Sequence, residues 1–151
     1  MGRRGILIWS LIVSFSVLSG CGKPAAKRVE LFIQTDGDFM SYKPSELSVP
    51  AGARVRLTFH HAGVILSQKH DWVLVKPADL QSVDHDGQKA GEDNNWLKPH
   101  DPRVIAATPL VPKGHTAVVE FIAPAAGEYA FFCSTPGHSE DMHGILHVTA
   151  S

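Results

Sequence analysis

The chain has 151 residues, enough for one domain of ordinary size, and carries 14 basic against 15 acidic side chains for a formal net charge of −1. That balance gives no support for nucleic-acid binding or for a basic patch against anionic lipids. Only two cysteines are present, Cys21 and Cys133.

Arg3 and Arg4 supply a basic start, followed by the predominantly apolar run Ile6–Leu18 of thirteen residues. Such a run is shorter than the ~20 residues needed to span a bilayer, so residues 1–20 read as a cleaved export signal. Leu18-Ser19-Gly20-Cys21 resembles the lipobox of bacterial lipoproteins. That resemblance implies cleavage before Cys21 and lipidation of its sulfur. A plain secreted protein is the alternative, and it leaves Cys21 without a purpose. Residues 21–28 read as a flexible tether, polar and broken by Pro24. Loss of Arg3 and Arg4 leaves 12 basic against 15 acidic residues, a net of −3. Membrane attachment would therefore rest on acyl chains rather than on a basic surface. With Cys21 lipidated, Cys133 has no partner in the chain. An unpaired thiol in an oxidising compartment is a liability unless it is buried or bound.

Residues 29–151 read as short β segments. Val29–Ile33, Glu46–Val49 and Arg54–Phe59 alternate between polar and apolar positions, while Asp71–Val75 is apolar enough for a central strand. Val104–Ala106, Ala117–Ile122, Tyr129–Phe132 and Ile145–Val148 come after it, separated by proline- and glycine-containing turns. About eight such strands predict an all-β fold of two packed sheets. Residues 77–101 lack period-two spacing and are rich in aspartate. An unstructured loop of that length is uncommon in a compact domain. A helical turn near residues 77–82 is therefore expected, with the rest lying over the sandwich as a flap.

The densest chemistry lies between Phe131 and Gly144, where Cys133, His138 and Met142 are spaced as Cys-x4-His-x3-Met. A loop joining two strands across a Pro-Gly turn can aim all three side chains at one point. Thiolate, imidazole and a weak thioether together suit copper, in a trigonal plane of two histidines and one cysteine with a long axial methionine. The second imidazole must come from elsewhere, and of nine histidines His70 is the best placed, at the start of the most apolar segment. His60, His61, His85, His100 and His115 have polar neighbours and read as solvated, His147 as solvent-facing, and His143 as exposed beside Met142. A site at His60-His61 is disfavoured because adjacent strand residues point to opposite faces. A structural thiol at Cys133 and a zinc site are the competing readings. Zinc wants four strong ligands, and methionine is a poor fourth.

Phe131-Phe132-Cys133, Pro136-Gly137-His138-Ser139, Met142 and Gly144 resemble the copper loop of azurin-like members of the cupredoxin family. His70-Asp71-Trp72-Val73-Leu74 is similar to the other ligand segment. Ala78-Asp79-Leu80-Gln81, Asp86-Gly87, Leu97-Lys98-Pro99 and Arg103-Val104-Ile105-Ala106 are similar to the flap and the strand after it. The resemblance implies a Greek-key β-sandwich, an azurin-like cupredoxin domain over residues 29–151, and one type 1 copper per chain. It makes His70, Cys133 and His138 the in-plane ligands, Met142 the axial one and the Lys69 backbone carbonyl a second, weak axial oxygen. It places a buried tryptophan at Trp72, which reads as core packing. The family's N-terminal disulfide is absent, and Asp71 stands in place of an asparagine. An aspartate charge there would lower the reduction potential unless it is neutralised or paired.

The functional expectation is a one-electron carrier cycling between Cu(I) and Cu(II), exported and lipid-anchored on the periplasmic face, with the outer membrane as one location. It is read as monomeric and not an enzyme, because the site has no open coordination position. Electrons would pass through the exposed edge of His138. Its partners would be redox proteins such as c-type cytochromes or membrane oxidoreductases. Glu140 and Asp141 suggest a basic-faced one. The alternative is a copper chaperone or storage lipoprotein, which the small number of methionines disfavours.

Overall fold

The computed structural model describes residues 27–65 and 67–150. The segments read as an export signal and most of a tether, with Cys21, lie outside the described residues. Among the described residues nine strands form two sheets. The first contains β1 (Arg28–Thr35), β2 (Tyr42–Lys43), β4 (Arg54–His60) and β7 (Thr116–Ile122), in the order β2-β1-β4-β7. The second contains β3 (Glu46–Pro50), β5 (Val73–Val75), β6 (Ala106–Ala107), β8 (Gly127–Phe132) and β9 (His143–Thr149), in the order β3-β9-β8-β5-β6. The pairs β1·β4 and β3·β9 are parallel and the others antiparallel. The all-β sandwich read from the sequence is thus borne out, with one strand more than the eight expected. The extra strand is β2, two residues long and too short to carry a pattern.

Alternation places the core. On β4, Val55, Leu57 and Phe59 point inward and are buried, while on β9 Leu146 and Val148 do the same. They meet Ile33, Val49, Trp72, Leu74 and Phe131 between the sheets. Trp72 is stacked obliquely between Phe121 and Phe131, each with ring centroids 5.8 Å away. Its Nε1–H is buried without a hydrogen-bond partner. This is the packing role read for it.

β5 is apolar throughout because it is covered on both faces. Leu74 belongs to the main core, whereas Val73 and Val75 join Phe132 and Val83 in a second cluster under the flap. The strand is also shorter than the segment expected from Asp71. The Trp72 amide donates to Thr108 Oγ1 at 3.0 Å rather than to a neighbouring strand, and His70 forms only an isolated antiparallel bridge with Val111.

The flap contains more helix than one turn. A 3₁₀ turn at Pro77–Asp79 leads into α1 (Leu80–Ala90), and a second 3₁₀ turn comes at Glu92–Asn94. Its buried positions are Val83 and Gly87, so a glycine occupies part of the inward face and the helical hydrophobic signal is thin. That glycine is required, because a Cβ there would lie 1.9 Å from the carbonyl oxygen of Trp96. Arg103 ties the flap down. Its Nε donates to Asp101 Oδ1 at 2.9 Å, and Nη2 reaches both Asp101 and, at 2.8 Å, Asp86 of α1.

Candidate metal centre

Cys133 comes directly after the last residue of β8, and Met142 precedes the first of β9. The loop between them is closed by its own backbone. The Cys133 amide donates to Met142 O at 3.0 Å, the His138 amide to Thr135 O at 3.0 Å and the Met142 amide to His138 O at 2.7 Å. His70 is carried by a different segment, fixed by its bridge to Val111. Two independently anchored pieces of backbone therefore face one another across the end of the sandwich.

Their side chains converge. Cys133 Sγ lies 3.7 Å from His70 Nδ1 and 3.7 Å from His138 Nδ1, and the two Nδ1 atoms are 3.2 Å apart. A point equidistant from three atoms so spaced lies about 2 Å from each, the length of bonds from imidazole and thiolate to a first-row transition metal. All three residues are buried, with His70 at 4% and His138 at 3% exposure, and Met142 is completely enclosed. Two nitrogens, one sulfur and an enclosed thioether fit a single copper ion.

Burial dominates the electrostatics. It pushes the Cys133 thiol well above its ordinary range, and the nearby Asp71 carboxylate acts in the same direction. It lowers His138, and lowers His70 to about 4 with help from the neighbouring His61 and His138 rings. The imidazoles are thus held neutral, the form that binds a metal.

Residues 29–149 match the profile of the copper binding proteins of the plastocyanin/azurin family. The chain belongs to that family. It is 42% identical over 120 residues to azurin iso-2 of Methylomonas sp. (strain J), covering 76% of this chain and 93% of that one. It is 35% identical over 122 residues to auracyanin-A of Chloroflexus aurantiacus, covering 80% and 74%. The structure of auracyanin A, described as a blue copper protein, superposes with a TM-score of 0.76 at 35% identity, covering 81% of this chain and 99% of that one. Azurin iso-2 gives a TM-score of 0.72 at 37% identity, covering 81% and 97%.

Within this plastocyanin/azurin frame, several surroundings of the site differ from the expectation drawn from sequence. His61 is not solvated. It is 1% exposed, packs edge-on against His70 with ring centroids 4.5 Å apart, and its Nδ1 lies 3.0 Å from Val111 O. It comes just after β4 and points inward, while His60 at the strand end stays partly open; the two do face opposite ways. His138 presents a far smaller edge to solvent than expected. His143 is exposed, its Nδ1 lying 3.2 Å from Ser139 O, and takes no part in the cluster. His147 faces outward between Glu46 and Glu128, as expected.

Asp71 is paired. Ser134 donates its amide to Asp71 Oδ1 at 2.8 Å, and its hydroxyl lies 2.6 Å from Oδ2. Burial nevertheless raises the carboxyl to about 6, against the lowering effect of the Ser134 hydrogen bonds. The Lys69 carbonyl accepts a hydrogen bond from Thr135 Oγ1 at 2.8 Å. Tyr42 of the short β2 donates its hydroxyl to Asp71 O. Ser134, Thr135 and Tyr42 carry no motif of their own. Small hydroxyl residues directly after Cys133 are the available sign that the loop is stitched to its neighbour.

Proposed function

We propose that the protein is a type 1 blue-copper carrier that accepts and donates one electron at a time. His70 Nδ1, Cys133 Sγ and His138 Nδ1 would hold the copper, with the Met142 thioether and the Lys69 carbonyl oxygen as weaker donors. The observation that supports this reading above all is the buried triangle of two nitrogens and one sulfur. Copper, when bound, supplies a couple between Cu(I) and Cu(II). The chain's contribution is to hold these donors nearly still, so that little has to move when the charge changes. The hydrogen bonds closing the Cys133–Met142 loop and the bridge at His70 provide that rigidity. The enclosing core leaves no place for a substrate at the site, which favours a carrier over a copper enzyme. A chaperone or store would be better served by mobile, exposed ligands than by these.

The sequence at Leu18–Cys21 supports an exported form, residues 1–20 being the signal, 21–28 the tether and 29–151 the copper domain, with Cys21 carrying lipid. Among the described residues no helix is long and apolar enough to cross a membrane. The exposed acidic pair Glu140 and Asp141, next to the ligand loop, favours a redox protein with a basic face, such as a c-type cytochrome or a membrane oxidoreductase.

The deciding experiment is the visible absorption and electron paramagnetic resonance of the copper-loaded full-length protein, beside its Cys133→Ser variant. An intense visible band with narrow hyperfine splitting, lost on Cys133→Ser, is expected. A pale native protein, or a band that survives the substitution, removes the thiolate from the site. For the anchor, Cys21→Ser should move the protein from the membrane to the soluble fraction, and continued sedimentation would rule lipidation out.

A further inference from the structure

The two residues after Cys133 grip the two residues that flank His70. Ser134 holds Asp71 through its amide and hydroxyl, and Thr135 holds the Lys69 carbonyl through its hydroxyl at 2.8 Å. Lys69 is tied from its other end as well, since its Nζ lies 2.7 Å from Glu92 Oε1 in the flap. Lys69, Glu92, Trp96 and Thr135 are among the residues lining one open cleft of about 230 Å³. Thr135 is itself fixed, because its carbonyl accepts the His138 amide at 3.0 Å. The hydroxyl thus spans from the loop carrying Cys133, His138 and Met142 to the residue preceding His70.

We infer that Thr135 is a positioning residue that sets the reduction potential by engaging the Lys69 carbonyl oxygen. The inference rests on the reading of that oxygen as a weak axial donor. A carbonyl oxygen that accepts a hydrogen bond has part of its electron density drawn toward the donor. It also has the positive end of an O–H dipole beside it. Both effects make it a poorer electrostatic partner for a cation, and the loss is greater for Cu(II) than for Cu(I). The Thr135 hydroxyl therefore favours the reduced state, and axial donors are a recognised lever on the potential of such sites. Replacing the hydroxyl by a methyl group of similar size frees the carbonyl while leaving the bulk of the loop unchanged.

The test compares copper-loaded full-length protein with Thr135→Val, Thr135→Ser and Thr135→Ala by redox titration and electron paramagnetic resonance. Thr135→Val should keep the intense visible band and raise the oxidised-to-reduced ratio at a fixed poise about threefold, which is ~30 mV for a one-electron couple. Its resonance spectrum should change with the axial field. Thr135→Ser retains the donor and should behave as the native protein does. Thr135→Ala, which should fold even if valine does not fit, admits water from the cleft and should fall between the two. An unchanged potential in both Val and Ala variants overturns the inference, as does an equal shift in Val and Ser. A native protein without the blue band instead defeats the ligand reading itself, so the two failures are distinguishable.

Discussion

Ser134 N lies 2.8 Å from Asp71 Oδ1, so the residue after Cys133 is bound to the residue after His70. The bond joins two chain segments 63 residues apart at the point where their side chains must meet. The Ser134 hydroxyl completes the link, lying 2.6 Å from Asp71 Oδ2 and 2.9 Å from Asn95 O of the flap. Ligand geometry is therefore set by backbone atoms and one carboxyl group rather than by the ligands alone.

Asp71→Ala should be costly and Asp71→Asn should not. Alanine leaves the buried Ser134 amide without its partner, at about 1–3 kcal/mol for the orphaned group, and leaves the hydroxyl with Asn95 O alone. Asparagine keeps an oxygen for the amide, and its own NH₂ can donate to the hydroxyl, whose proton is then free for Asn95 O. Urea unfolding of the metal-free protein measures the difference. Equal destabilisation by the two substitutions would show that the link contributes little.

Met142→Leu should leave copper bound and raise the reduction potential. Met142 is fully buried, and leucine is close to it in volume, so the substitution should cost less than about 1.5 kcal/mol of stability. What disappears is the thioether, a donor that favours Cu(II) over an apolar side chain in the same place. Metal content and potential are read on the same sample. Loss of the metal would mean that the sulfur holds it rather than tunes it.

The copper loop is legible in the sequence because its chemistry is compact. Cys133, His138 and Met142 fall within ten residues, and their donor types have few other uses together. His70 is legible because an apolar run marks a strand that must be central, although the ladder itself begins only at Val73. The features hidden from sequence depend on contacts between distant segments. His61 follows His60 and looks solvated, yet its ring packs edge-on against His70, a contact between segments that only the folded chain brings together. Tyr42 lies in a two-residue strand with no periodicity to read. The length of α1 is obscured at Gly87, where the pattern has a glycine because the flap backbone occupies the place a side chain would take.

Gly87→Ala tests that last point. In an exposed helix alanine is favoured over glycine by about 0.5–1 kcal/mol. Here the added Cβ would fall 1.9 Å from Trp96 O, a contact that only movement of the flap can relieve. Overpacking of this kind costs about 1–3 kcal/mol, so a net loss of stability is expected. Because Asn95 O meets Ser134, the displaced flap should also broaden the copper resonance spectrum. A stabilised variant with a native spectrum would show the flap to be loosely seated.

The acid limit of the fold should depend on Arg103. Its hydrogen bonds hold the Asp101 carboxyl down to about 2, and they lower Asp86 as well. The unfolded chain would titrate Asp101 near ~4. Between those values the unfolded state binds more protons than the native one, so stability falls as the pH falls. The contribution is fully present above about pH 4 and lost as the pH approaches 2. Arg103→Ala removes the cause of the shift. Its stability should be lower at neutral pH, and the difference from the native protein should shrink steadily through that acid window. Arg103→Lys should recover little, since one ammonium cannot fork between Asp101 and Asp86 as the guanidinium does. Urea midpoints of the metal-free protein against pH provide the measurement, free of acid-driven metal release. Parallel curves for native and Arg103→Ala protein between pH 4 and 2 would show that the Arg103 cluster does not govern acid unfolding.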